Sequence, residues 1–210
     1  MHKLFSVISF VFLLSVQTQV CADNSFPKIL ILGDSLSAAY NIPIEQSWPI
    51  LFDSNIRSSF PHTSVINASI SGETTFGGIK RLDSLLTKHK PSHLIIELGG
   101  NDGLRGLKFS QTIDNLKGMI MLARQQDIAV MLIGVRLPPN LGEAYNQHFQ
   151  KIFDSLATQL DIYYLPKFLE GVAASNAELM QSDGIHPTAK AQPILAEKVL
   201  NAILAMLQQQ

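Results

Sequence analysis

Apolar positions along the chain fall into two alternating patterns. Short unbroken runs rich in branched side chains occur at residues 29–33, 64–68, 93–98, 128–133 and 162–165. Their length suits buried strands and is too short for helices. Between them the apolar residues recur every three or four positions, the spacing of one helix face. Helical character is expected over 46–58 and over 76–89, where Ile79, Leu82, Leu85 and Leu86 form the stripe and Pro91 closes it. Ile113, Leu116, Ile120 and Ala123 mark a further helix. Tyr145, Phe149, Ile152, Leu156 and Leu160 mark a long one, and Ala196, Val199, Leu200, Ile203 and Leu207 the last.

Strand and helix patterns that alternate through one chain predict a parallel sheet covered by helices on both faces. No repeat, linker or low-complexity stretch divides the chain, so a single domain is expected. The pattern leaves the spatial order of the strands open. It does predict where chemistry gathers, because the loops after parallel strands meet at one edge of the sheet.

The N-terminus breaks the alternation. His2 and Lys3 are followed by thirteen uncharged residues, Leu4 to Val16, then by polar Gln17-Thr18-Gln19 and by Val20-Cys21-Ala22. This is the layout of a secretory signal peptide, and the run is too short to span a membrane comfortably. Residues 1–22 are therefore expected to be a signal peptide and 23–210 the mature, exported domain. Cleavage after Ala22 would remove Cys21, the one cysteine, so the mature chain would fold without disulfides. No second long apolar run suggests a transmembrane segment. Sixteen basic residues face seventeen acidic ones, a formal net charge of −1, with no Lys/Arg cluster to support nucleic-acid binding.

Four loops carry candidate chemistry. The first strand ends at Gly33-Asp34-Ser35, and 36–40 can begin a helix. That would set Ser35 on a strand-to-helix turn, where a serine serves as a nucleophile if a base reaches it. The same three residues can equally do no more than cap a helix. The second strand leads to Ser71-Gly72, where a bare backbone N–H can face the site or the glycine can simply end the strand. The third leads to Gly99-Gly100-Asn101-Asp102, where the Asn101 amide is a donor or a turn former. Before the last helix lies Asp183-Gly184-Ile185-His186-Pro187. There a carboxylate three residues from an imidazole can hold one ring nitrogen and leave the other aimed at Ser35, or His186 can be an ordinary turn residue. His62, His89, His93 and His148 lack such an acid and read as surface or packing residues. No metal-ligand cluster is apparent.

These blocks resemble the motifs of the SGNH (GDSL) hydrolases: Gly33-Asp34-Ser35-Leu36, Gly72, Gly99-Gly100-Asn101-Asp102 and Asp183-Gly184-Ile185-His186-Pro187. The likeness runs from Lys28 into the last helix. It is strongest to a branch of bacterial periplasmic thioesterases and lysophospholipases, through Asn67 to Gly72, Glu97 to Gly106 and Ile133 to Pro138. Ala39 stands where that branch more often has glycine. The resemblance implies a three-layer α/β/α sandwich of flavodoxin-like type. It implies Ser35 as nucleophile, His186 as general base and Asp183 as the acid that orients it. It implies an oxyanion hole from the N–H groups of Ser35 and Gly72 with the Asn101 amide, and a structural role for Asp34. No cofactor and no metal are implied. The substrates would be small-molecule fatty-acyl esters and thioesters, with the acyl chain lying against 104–109 and 137–141, and the protein would be a periplasmic monomer. A carbohydrate or cell-wall O-deacetylase on the same fold is the alternative, separable by comparing short and long acyl esters. A non-enzymatic binding module is a second, separable by any ester-hydrolysis assay.

The export reading predicts a mature protein that begins at Asp23 and carries no lipid. N-terminal sequencing of protein from its native compartment checks this, and a lipidated Cys21 as first residue would contradict it.

Overall fold

The computed structural model describes residues 26–173 and 177–208, so the expected signal peptide and its cleavage site lie outside the described residues. Five parallel strands, β1 (Lys28–Gly33), β2 (Ser64–Asn67), β3 (His93–Glu97), β4 (Ala129–Ile133) and β5 (Tyr163–Leu165), form one sheet in the order β2-β1-β3-β4-β5. This is the flavodoxin-like order, in which the winding direction reverses between β1 and β3 and leaves a crevice beyond their carboxyl ends. Six helices cover the sheet: α1 (Trp48–Ser59), α2 (Thr75–His89), α3 (Gly100–Leu104), α4 (Phe109–Arg124), α5 (Glu143–Leu160) and α6 (Gln192–Leu207). α1 packs on α6, α2 on α4 and α4 on α5, which completes three layers.

The central strands are buried on both faces, as their unbroken apolar runs require. Ile29 to Leu32, Leu94 to Ile96 and Met131 to Ile133 are fully enclosed. The edge strands β2 and β5 remain half-exposed. Each large side chain withdrawn from water contributes roughly 1.5–3 kcal/mol before chain entropy is subtracted.

One correction concerns the segment after the first strand. Ala38 N–H bonds the Asp34 carbonyl at 2.9 Å, as a first helical turn would. The helix goes no further, because Ala39 (φ 59°) and Asn41 (φ 54°) take left-handed conformations. The chain runs through turns until α1 begins at Trp48. Trp48 secures this irregular stretch. Its indole N–H donates to the Leu36 carbonyl at 3.1 Å, and its backbone N–H donates to Gln192 Oε1 at 2.9 Å. The α6 side chain thus satisfies a donor at the first turn of α1 that would otherwise be orphaned. The loop after β3 also differs from the sequence pattern, since it forms a short helix, α3, that carries Asn101.

His93 is fully buried in β3, with Nδ1 2.8 Å from Ser92 Oγ. Burial disfavours the imidazolium and pushes this group down from 6.5 to about 4. Between those values the unfolded chain binds a proton that the native state does not. Lowering the pH through this window therefore removes stability, by about 3 kcal/mol at its acid end. His93→Asn is expected to flatten the fall in urea midpoint between pH 6.5 and 4 relative to wild type. Parallel profiles for the two proteins would contradict the assignment.

Candidate active site

The β1 exit is built around two buried carboxyl groups. Asp34 follows Gly33 directly; its Oδ1 accepts from Leu36 N–H at 3.0 Å and its Oδ2 from the Asn101 amide at 3.1 Å. Beneath it, Glu97 at the end of β3 accepts from Ser37 Oγ at 2.7 Å and, at 3.4 Å, from Asp34 N–H. Burial pushes the Asp34 carboxyl up to about 6. The Leu36 and Asn101 donors and the His186 charge pull against that rise, and Asp102 adds to it. Burial, with Asp34 close by, holds Glu97 well above the usual carboxylate range, more than Ser37 and the Asp34 N–H offset. Of the two, Glu97 is the group whose neutral form burial favours more strongly, while the donors around Asp34 favour its carboxylate.

This arrangement places Ser35 half-exposed at the carboxyl edge of the sheet. Its Oγ lies 2.8 Å from His186 Nε2, and His186 Nδ1 lies 2.7 Å from Asp183 Oδ2. The turn that presents the imidazole is held by its own acid. Asp183 Oδ1 accepts the N–H groups of Ile185 (2.9 Å) and His186 (3.0 Å), and Gly184 takes φ 66°. Partial burial acts to raise the Asp183 carboxyl. These two N–H donors and the imidazole's hydrogen bond and charge outweigh it and keep the group below the usual range. The Tyr40 ring lies over the His186 ring at 4.2 Å between centroids.

Ser35 and Asn101 line one narrow cleft of about 20 Å³. Its apolar walls include Leu104, Leu137, Pro138, Leu169 and Ile185. It shares Leu137, Pro138, Leu169 and Ile185 with a cleft of about 170 Å³ that continues to Met180. Of the expected acyl walls, Leu104, Leu137 and Pro138 are here. Phe109 instead packs on Tyr145 and Phe149. Gly72 does not line the cleft. It sits in the adjoining loop at φ 79°, two residues after Ile70, whose N–H bonds the Gly33 carbonyl at 3.0 Å. Arg105 donates to the Gly72 carbonyl at 2.8 Å. Buried Asp102 accepts from the Thr75 N–H at 2.9 Å and from the Thr75 and Thr112 hydroxyls. It thereby joins the segment bearing Asn101 to the helix that follows Gly72. A serine, imidazole and carboxylate in this line, with donors beside them, can carry out acyl transfer.

Sequence reasoning had not singled out Glu97, Ser37, Tyr40 or Leu169. For Glu97 a signal existed, a lone acid inside the apolar run 94–98, since an acid is rarely buried without a partner. Three other described histidines sit away from the cleft. His93 is in the core, His62 lies against Phe26 and His148 against Phe109.

The family model for GDSL-like lipases and acylhydrolases matches residues 31–193. An arylesterase of Vibrio mimicus is 41% identical over 207 residues, 99% of this chain and all of that protein. The thioesterase 1/protease 1/lysophospholipase L1 of Escherichia coli K12 is 40% identical across 90% of this chain and 88% of its own length. Among solved structures, that of TesA superposes with a TM-score of 0.81 at 42% identity, covering 84% of this chain and 97% of its own. The psychrotrophic esterase EstA of Pseudoalteromonas, solved inhibited by monoethylphosphonate, gives 0.81 at 36% identity, with 86% and 98% covered.

A neutral Glu97 carries in the native state a proton that the unfolded chain loses as pH rises above about 4.5. Its contribution to stability is therefore largest in acid and is lost as pH rises through the native value. Glu97→Gln mimics the neutral acid and is expected to stay within about 1 kcal/mol of wild type at pH 7, with a flatter pH profile. Glu97→Ala is expected to lose about 2 kcal/mol or more, through a cavity and an unpaired Ser37 hydroxyl. Melting temperatures across pH check this. A Gln variant as unstable as Ala would show that the carboxyl is ionised.

Proposed function

The chain belongs to the GDSL-like lipase/acylhydrolase family, and on that premise we propose that it hydrolyses acyl esters and thioesters through an acyl-enzyme on Ser35. One observation carries the reading. Asp183, His186 and Ser35 are joined by hydrogen bonds of 2.7 and 2.8 Å at the mouth of an apolar cleft. Ser35 Oγ attacks the carbonyl carbon while neutral His186 takes its proton at Nε2, and the carbonyl π electrons move onto oxygen. The depressed Asp183 remains a carboxylate, fixes the Nδ1–H tautomer and stabilises the imidazolium that forms. The oxyanion is assigned to the N–H of Ser35 and the Asn101 amide at the cleft, with the Gly72 N–H contributing from the adjoining loop. Collapse expels the alcohol or thiol, which leaves with the proton from His186. Water, activated by the same imidazole, then releases the acid and regenerates Ser35.

The second N–H of Asn101 is available because Asp34 occupies the first. Asp34 therefore acts as a positioning residue. The walls of Leu104, Leu137, Leu169 and Ile185 favour a fatty-acyl chain over an acetyl group, at about 0.8 kcal/mol for each methylene buried. Relatives named arylesterase and thioesterase/lysophospholipase support the same substrate class. The signal-peptide layout of residues 1–22 supports a periplasmic enzyme. Lysophospholipids and exogenous esters then fit better than thioesters made in the cytoplasm.

Asn101→Ala is expected to lower kcat by about 10²–10³, with KM little changed, because the amide meets full charge only in the tetrahedral intermediate. Asn101→Asp is expected to be worse, since it sets a carboxylate beside that charge. Kinetics on p-nitrophenyl esters, with melting temperature from the same preparation, check this. A folded Asn101→Ala enzyme with kcat within about threefold of wild type would remove Asn101 from the site.

A further inference from the structure

Exposed apolar side chains lie on the segments that adjoin the cleft. Ile70 is 52% exposed and Phe76 is 59% exposed, and Leu104 and Leu107 stand exposed beside them. Their segments adjoin. Ile70 is bonded to Gly33, Arg105 to the Gly72 carbonyl and Leu107 N–H to the Asp102 carbonyl, while Leu104 itself lines the Ser35 cleft. Cations frame the patch. Lys80 Nζ lies 5.4 Å from the centre of the Phe76 ring, and Arg105 and Lys108 are exposed. Glu73 on this edge is already paired with Arg81, and Asp83 is exposed one turn beyond Lys80 on α2. The chain as a whole carries a net charge of −1, so this basic edge is local. Exposed apolar groups ringed by cations match the interface of an anionic lipid layer, where the side chains enter the acyl boundary and the cations meet the headgroups.

We propose that the face formed by Ile70, Phe76, Leu104 and Leu107, with Lys80, Arg105 and Lys108, docks on an anionic phospholipid surface and holds the mouth of the Ser35 cleft against it. The purpose of this docking rests on the acyl-ester reading above. An amphiphilic ester would pass from the lipid layer to Ser35 without its chain crossing water.

Co-sedimentation tests it. The chain from Asp23 keeps residues 26–173 and 177–208, and the TesA structure covers 84% of this chain. The protein is mixed with vesicles of phosphatidylglycerol and phosphatidylcholine in equal parts, or of phosphatidylcholine alone. Binding to the anionic vesicles is expected, and salt should release it by screening the exposed cations. Ile70→Ser combined with Phe76→Ser should weaken binding about tenfold, and Lys80→Glu about fivefold or more. Turnover of water-soluble p-nitrophenyl acetate should stay at the wild-type level in all of them, while hydrolysis of vesicle-borne lysophospholipid falls with binding. Unchanged binding in the variants, or equal wild-type binding to both vesicle types, would overturn the proposal. Vesicle binding that follows these expectations in a protein with no ester turnover would uphold the docking face and overturn the acyl-ester reading instead.

Discussion

The exit of the chain from β1 is the constraint on which the site depends. A Cβ at Gly33 would stand 2.7 Å from Ser37 Oγ and 2.9 Å from Glu97 Oε2, so close contact, not a special backbone angle, requires glycine there. The hydroxyl of Ser37 and the carboxyl of Glu97 occupy that space because they bond each other. Above them Asp34 is fixed, and with it the Leu36 N–H and the Asn101 amide. The position of Ser35 is thus set by buried polar contacts on both sides of it in sequence. Trp48 secures the following turn from the helix layer.

These contacts carry an opposing cost. Two carboxyl groups buried side by side cannot both ionise cheaply. Burial favours the neutral form of Glu97, and donors surround Asp34. A third buried acid, Asp102, is likewise surrounded by donors, the Thr75 N–H and the Thr75 and Thr112 hydroxyls. The apolar sheet supplies most of the stability. The acids beneath the loops supply the register between β1, the Gly72 loop and α3, which aliphatic packing alone would leave soft.

Much of this was legible in the chain. All five strands and every long helix fall where hydrophobic periodicity puts them, because strands buried on both faces show unbroken apolar runs and amphipathic helices show stripes. The three loops after β1, β2 and β3, and the Asp183–His186 turn, do converge on one edge. What escaped the pattern is tertiary. The strand order depends on crossovers that periodicity does not encode. The helix expected after Ser35 was stopped by left-handed Ala39, a conformation that costs an alanine about 1–2 kcal/mol and that only the folded surroundings hold. Leu169 reaches the cleft from beyond β5 and Ile185 from the turn before α6, far in sequence from the loops expected to wall it.

In the proposed reaction Ser35 becomes covalently acylated at a site already aligned in the resting protein. Acid-quenched reaction with a p-nitrophenyl fatty-acyl ester, followed by intact-mass and peptide mapping, tests it most directly. A mass increase of one acyl group is expected, confined to the peptide containing Ser35 and absent from Ser35→Ala. An adduct on another residue, or ester turnover by Ser35→Ala at the wild-type rate, would contradict it.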